Sequence, residues 1–259
     1  MNDVLLSAIP EGIIEVPLKP YLIKDVKRGL IVNDLHFPFH NKRAIQTALD
    51  YDDSIDFILI NGDLLDCHKA SSKFRHNPAM PEIKDEINIG KNFIAFLRGK
   101  FPKKRIIFYE GNHDERLKFY VWDKAPALFG IEAIQLKSLL ELDKHGVEFI
   151  ENGSGWKIGS LHGKHGNEAG LTGGINVTRT MLLRTFDNCI FGHVHKTQST
   201  PARNLDDKHF MNWSVGCLCG LKPKYRPIND WNLGFALVEI FGKDFQVENK
   251  FILPDYRVV

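Results

Sequence analysis

The sequence predicts an α/β fold in which parallel strands come first and antiparallel strands last. Three observations lead there. Short apolar runs at 29–33, 55–60 and 105–109 alternate with amphipathic stretches, and the crossovers are long enough for parallel βαβ units. The tail alternates apolar and polar residues at 235–240 and 245–253, around Phe241-Gly242-Lys243-Asp244, as an antiparallel hairpin does. The chain has 259 residues, 43% of them hydrophobic and 25% charged. That is a globular composition in a chain long enough to bury a sizeable core.

Each element follows from local pattern. Residues 1–28, with Pro10, Pro17 and Pro20, form an extended N-terminal segment lying across a surface. Residues 29–33 form a buried strand. Asn41 caps a helix that runs to Tyr51, with Ala44, Ile45, Ala48 and Leu49 on one face. Residues 55–60 are a second strand, and a loop rich in Ser, Lys and His leads on to Pro81. A helix follows over 82–100 with Ile83, Ile87, Ile94 and Leu97 inward, then a third strand at 105–109. Residues 115–142 form a helical insert broken near Pro126. Strands at 147–150 and 156–161, a helix over 175–186, strands at 188–191 and 213–219, and the terminal hairpin complete the chain. No repeat or linker divides it, so residues 1–259 read as a single domain with helices covering sheet faces.

Lys and Arg number 34 against 32 Asp and Glu, a net charge of +2. This excludes a strongly basic nucleic-acid coat but leaves room for a local basic groove. Lys100, Lys103, Lys104 and Arg105 start the third strand and read as a solvated face; Lys222, Lys224 and Arg226, with Tyr225 among them, could hold nucleic acid. Cys67, Cys189, Cys217 and Cys219 are expected to be buried, reduced thiols, the last two on one face of a strand. Pro10, Glu11 and Glu15 interrupt the short apolar run near the start, which is unlike a signal peptide. No run of about 18 apolar residues occurs. A cytoplasmic protein without a membrane partner is the expectation.

The polar clusters sit where apolar strands end: Asp34-Leu35-His36, Gly62-Asp63, Gly111-Asn112-His113-Asp114, His162-Gly163 and Gly192-His193-Val194-His195. In open α/β sheets, ligands bind beyond the carboxyl ends of the strands. Asp, Asn and His are donors suited to divalent first-row metals, manganese first, with nickel, zinc and iron as alternatives. Asp34, His36, Asp63, Asn112, His162, His193 and His195 are too many ligands for one ion that keeps open positions. They suit two ions about 3.5–4 Å apart that share a carboxylate. His165 competes with His162 for the fourth cluster; His162 is preferred because it directly follows the strand at 156–161. Neither G-x-x-x-x-G-K-[ST] nor G-x-G-x-x-G occurs, so no phosphate loop offers a rival reading.

These blocks, with Asp66 completing Gly62-Asp63-Leu64-Leu65-Asp66, resemble the calcineurin-like metallophosphoesterase superfamily from residue 34 to 195. Its pattern is D-x-H, GD-x-x-D, GNH-[DE], H and GH-x-H. The resemblance implies a four-layer α/β/β/α sandwich with mixed sheets. It implies that Asp34, His36, Asp63 and His195 hold one divalent ion, and Asp63, Asn112, His162 and His193 a second, with Asp63 bridging. It gives His113 a part in proton transfer to the leaving oxygen, with Asp114 or Asp34 fixing its tautomer. Arg116, Lys164 and His165 stand close enough in sequence to touch a phosphoester substrate. Asp66 is either a supporting group or a turn cap. The segment 212–231, with Trp213, Tyr225 and Trp231, resembles the tails of small phage and bacterial members. The expected activity is phosphodiester hydrolysis of nucleic acid (DNA or RNA) or nucleotides; a phosphomonoesterase and a noncatalytic scaffold are the alternatives.

Overall fold

Alternation along the strands decides the layers. In a computed structural model describing residues 19–72, 79–171 and 173–259, β1 (Tyr21–Leu22), β2 (Arg28–Val32), β3 (Phe57–Asn61), β4 (Arg105–Tyr109) and β5 (Val147–Ile150) form the first half of the strands. The second half comprises β6 (Trp156–Ile158), β7 (Leu161–Lys164), β8 (Cys189–Phe191), β9 (Gln198–Arg203), β10 (His209–Ser214), β11 (Leu233–Phe241) and β12 (Asp244–Ile252). One six-stranded sheet has the order β12-β11-β2-β3-β4-β5 and the other β1-β6-β7-β8-β10-β9. Strands β2 to β5 are parallel, as are β7, β8 and β10, while β11–β12, β9–β10 and β6–β7 are antiparallel pairs.

Side chains of period two feed different cores. Ile58, Ile60, Ile106 and Phe108 pack with Ala44, Ala48 and Leu49 of α1 (Lys42–Leu49) and with Ile94 and Leu97 of α2 (Ile83–Lys100). Their neighbours Phe57, Leu59, Ile107 and Tyr109 face the opposite way, against Trp156, Ile158, Leu161 and Ile190 of the second sheet. On the far side of that sheet, Cys189 and Phe191 pack with Val177 and Met181 of the last helix (Val177–Thr185). The layers therefore run helix, sheet, sheet, helix, the α/β sandwich expected.

The Asn41 cap is present, its side chain accepting from the Ala44 N–H at 3.1 Å. The insert is α3 (Arg116–Lys124), two short 3₁₀ turns and α4 (Leu136–Leu139), which makes the last helix α5. Phe119, Trp122 and Phe129 pack edge-on upon one another at ring separations of 5.2 and 5.5 Å. Residues 1–18 of the expected N-terminal segment lie outside the described residues; Tyr21–Leu22 pair in parallel with β6. The basic run is a solvated face with partners: Lys100 meets Asp50 at 2.6 Å and Arg105 meets Glu148 at 2.8 Å. All four cysteines are buried and free. No helix among the described residues is long and apolar enough to cross a membrane.

Two strand expectations need correction. The run at 156–161 is not one strand: Gly159, at φ +54°, and Ser160 turn the chain between β6 and β7, with Ile158 opposite Leu161. The run at 213–219 stops at Ser214, and Cys217 and Cys219 make only isolated bridges, to Leu233 and His40. Strand β9 was not expected; it is a polar edge strand containing Pro201, whose burial alternates between half-buried and exposed.

One buried acid in this core gives a pH test. Glu86 of α2 is fully buried and its carboxylate accepts from the Cys67 N–H. Burial, with the nearby charge of Asp66, pushes it up to about 8. A raised folded-state pKa contributes stability below the unfolded value, and that contribution is lost as pH rises through the folded one. Glu86→Gln should therefore gain on wild type between pH 5 and 8, by on the order of 1–3 kcal/mol. Denaturant midpoints at both pH values provide the measurement, and a pH-independent difference is the contrary result.

Candidate metal centre

The strand ends bring the clusters together through an unusual backbone. Asp34, His36, Asp63, His193 and His195 all have positive φ, at 54°, 49°, 52°, 66° and 59°. Left-handed conformations are uncommon for residues other than glycine, though Asp and His tolerate them better than most. Main-chain bonds between loops hold them: the Asp34 N–H donates to the Gly62 carbonyl at 3.1 Å, and the His36 N–H to the Asp63 carbonyl at 3.0 Å. Gly111 permits the third loop to close, since a Cβ there would lie 2.2 Å from the Asp63 nitrogen.

The carboxylates are aimed by their outer oxygens. Asp34 Oδ2 accepts from the His193 N–H at 2.9 Å and from the Asn33 amide. Asp63 Oδ1 accepts from the His113 N–H at 2.8 Å. The inner oxygens face histidine. Around Asp34 Oδ1, His195 Nε2 lies at 3.3 Å and His36 Nε2 at 3.8 Å, and the two ring nitrogens are 3.1 Å apart. Asp63 Oδ2 stands 3.6 Å from His36 Nε2 and 3.2 Å from His165 Nε2. His165 and His193 lie edge to face, and with Asp63 they offer donor atoms within 4.8 Å of one another. Asp63 thus belongs to both groups.

Second contacts select which nitrogen each histidine presents, as is usual for metal-binding imidazoles. His165 Nδ1 is paired with the Asn61 carbonyl at 2.9 Å, which leaves Nε2 inward. His193 Nε2 is paired with the Leu171 carbonyl at 3.0 Å, which leaves Nδ1. His36 Nδ1 faces Asp66 Oδ1 at 3.2 Å. Asp34 Oδ1, Asn112 Oδ1 and His165 Nε2 are buried and have no hydrogen-bond partner among the described residues. A buried polar atom left unpaired costs about 1–3 kcal/mol. Unpaired donors of this kind, beside two carboxylates, fit divalent cations.

The buried carboxylates and imidazoles shift one another. Burial alone would lower the histidines, but Asp63 and Asp34 outweigh it at His165 and hold it up to about 10. At His195 the Asp34 carboxylate does the same, again to about 10. Burial would raise Asp34, yet His195 and His165 bring it down to about 2. At His193, burial and the charge of His165 outweigh Asp63 and Asp34 and lower it to about 4.

The geometry departs from the sequence expectations at four places. His162 is not in the cluster: it lies mid-strand in β7, partly exposed, 3.8 Å from Asp187. His165, expected to touch substrate, occupies that place because β7 begins after the Gly159 turn and ends at Lys164. Lys164, expected at the substrate, shares the strand face of His162 and reaches the Gly153 carbonyl at 2.8 Å. Asp114 does not orient His113; its carboxylate points back to accept from the N–H groups of Gly111 at 2.9 Å and Leu65 at 2.9 Å. Asp66 orients it instead, with Oδ1 3.1 Å from His113 Nδ1. Arg116 is beside them, its guanidinium 2.8 Å from His113 Nε2 and donating at 2.8 Å to the Asp66 carbonyl. Cys219 and Trp231, which sequence reasoning left out of the site, both contact His195, at 3.8 Å from Nδ1 and 4.1 Å between rings. Only the Gly-Asp-x-x-Asp spacing signalled Asp66 in advance.

Fold and cluster together define a metallophosphoesterase-type sandwich. The family model for calcineurin-like phosphoesterases matches residues 28–197, and the chain belongs to that family. It is 27% identical over 238 residues to the Gene 54 protein of Mycobacterium phage L5, covering 86% of this chain and 92% of that protein. Among solved structures it is similar to Vps29 of Entamoeba histolytica in complex with Zn2+ (14% identity, TM-score 0.46, covering 90% of this chain and 96% of that one). A predicted phosphoesterase from Streptococcus pneumoniae TIGR4 is similar over 92% of this chain and 95% of its own (14% identity, TM-score 0.35).

Substitutions distinguish the two rival histidines. His165→Ala should lose about one of two bound divalent ions, His162→Ala should keep both, and Asp63→Ala should lose most of both. Metal content by mass spectrometry checks all three. Because His165 and His195 hold protons up to about 10, metals and protons compete across the neutral range. Affinity should climb from pH 6 to 8, with proton release seen as buffer-dependent heat in calorimetry.

Proposed function

We propose that the chain is a binuclear metal-dependent hydrolase that cleaves phosphodiesters in nucleic acid or nucleotides. The observation carrying this reading is the shared Asp63 carboxylate between two donor groups, with His113 and Arg116 beside it. In this reading Asp34, His36, Asp63 and His195 hold one ion, and Asp63, Asn112, His165 and His193 the other. When bound, the ions supply Lewis acidity towards a phosphoryl oxygen and activation of water.

The remaining chemistry belongs to the chain. His113 Nδ1 donates to Asp66, and Nε2 accepts from the permanently charged Arg116. Burial, together with the His36 and Arg116 charges, lowers His113 despite the opposing effect of Asp63. A guanidinium fork matches phosphate oxygens better than it matches an imidazole. When phosphate draws Arg116 away, His113 Nε2 is freed to take a proton and pass it to the leaving oxygen. Asp66 keeps the ring oriented meanwhile.

The loop between Gly220 and Asn232 supports a nucleic-acid or nucleotide substrate. Its ends are pinned to the site, by the Gly220 N–H on the Phe39 carbonyl at 2.8 Å and the Asn232 N–H on the His195 carbonyl at 2.9 Å. It carries Lys222, Lys224 and Arg226, and Tyr225 lies 6.4 Å from Trp231. Aromatic faces with interleaved cations suit bases and phosphates.

Manganese-loaded protein should turn over bis-p-nitrophenyl phosphate faster than p-nitrophenyl phosphate and should cleave DNA or RNA oligonucleotides. Monoester preference would make it a phosphatase; no turnover of any phosphoester with both sites filled would make it a scaffold. His113→Ala should keep both ions and slow hydrolysis about 10²–10⁴-fold. The loss should be larger for an alkoxide leaving group than for nitrophenolate, which leaves with little help. Equal loss on both would assign His113 to phosphate binding.

A further inference from the structure

His195 is held more completely than any neighbour. Trp231 covers one face of its ring at 4.1 Å. Its carbonyl accepts from the Asn232 N–H at 2.9 Å. Its Nε2 faces Asp34 and His36. The remaining polar atom, Nδ1, meets neither carboxylate nor carbonyl among the described residues: it lies 3.8 Å from Cys219 Sγ, and the Cys217 thiol is also within hydrogen-bond reach of His195. Cys217 comes within hydrogen-bond reach of Cys219 and approaches the Asn232 carbonyl at 3.5 Å. The contacts close a ring: His195, Cys219, Cys217, Asn232 and back to His195. All of it except Asn232 is buried.

We infer that Cys219 is a positioning residue for His195, its sulfur accepting the Nδ1 proton so that Nε2 is presented to an ion at Asp34 and His36. An imidazole that binds metal through one nitrogen carries a proton on the other, and that proton needs an acceptor. In His165 and His193 the acceptors are the Asn61 and Leu171 carbonyls, and in His36 it is Asp66. Among the described residues only sulfur is in place for His195, with Cys219 at 3.8 Å from Nδ1 and Cys217 next to it. Cys217 supports from behind, its thiol donating to the Asn232 carbonyl while the Asn232 N–H holds the main chain of His195. The Cys217-x-Cys219 spacing is what brings both sulfurs to one histidine although they lie outside a regular strand.

The inference rests on the metal-site reading above, and zinc titration by calorimetry separates the two. Wild type should take up two zinc ions, and His195→Ala should weaken one. Cys219→Ala and the space-filling Cys219→Val should weaken that same site about 10–100-fold, as outer-contact losses do. Cys219→Ser, which restores an acceptor, should recover part of the affinity. In zinc-loaded protein, the ¹⁵N resonance of His195 Nδ1 should move in the Ala and Val variants. Wild-type affinity in Cys219→Val, or equal loss in Cys219→Ser and Cys219→Val, would reduce Cys219 to packing and overturn the inference. Failure of His195→Ala to weaken either site would overturn the metal assignment itself, and this inference with it.

Discussion

Two carboxylates almost wholly removed from water, Asp34 and Asp63, set the terms for everything around them. Burying an unpaired charge costs several kcal/mol even after relaxation. The protein answers in two ways. Backbone N–H groups of His193 and His113 bind the outer oxygens, and histidines crowd the inner ones. Those N–H groups belong to the fifth and third loops. Compensating each buried charge therefore fixes the position of another loop. The same carboxylates hold His165 and His195 up to about 10 against the effect of burial.

The same demand explains the backbone. Five site residues adopt left-handed conformations, each worth about 1–3 kcal/mol of strain. Such a total survives only where surrounding structure over-determines it. Here two packed sheets and the loop-to-loop main-chain bonds do so, and Gly62, Gly111 and Gly192 leave out side chains that would wedge the loops apart.

Much of this was legible in the sequence. The strand β4 and its neighbours announced themselves by apolar runs, the helix α1 by Asn41, the terminal hairpin by alternation around Gly242. Five polar clusters, each following an apolar run, gave the location of the site. What failed was short-range in one case and long-range in the others. His162 was preferred over His165 because the Gly159-Ser160 turn went unread, so a hairpin passed for a single strand and the cluster histidine was placed three residues early. The turn pair and the second glycine, Gly166, were the available signals. Asp114 was given the role of Asp66 because adjacency in sequence is a poor guide to which carboxylate faces a ring. The sulfur beside His195 lies 24 residues away, across a loop whose path no local pattern discloses.

The clustered donors are divided between the two sheets. Asp34, His36, Asp63 and Asn112 follow β2, β3 and β4 of one sheet, while His165, His193 and His195 follow β7 and β8 of the other. Each proposed ion draws on both sheets, so neither sheet alone contains a site. The distance between the sheets is set by the core they share, in which Phe57, Leu59 and Tyr109 meet Trp156 and Ile190. Trp156 adds a directional tie, its indole N–H donating at 2.7 Å to the amide oxygen of Asn61, the last residue of β3. The Asn61 carbonyl in turn orients His165. A single residue thus joins the sheet-to-sheet contact to the choice of ligand nitrogen. Core packing and donor geometry are therefore two aspects of one constraint: the aromatic layer sets the spacing at which six further donors from two sheets can meet around Asp63.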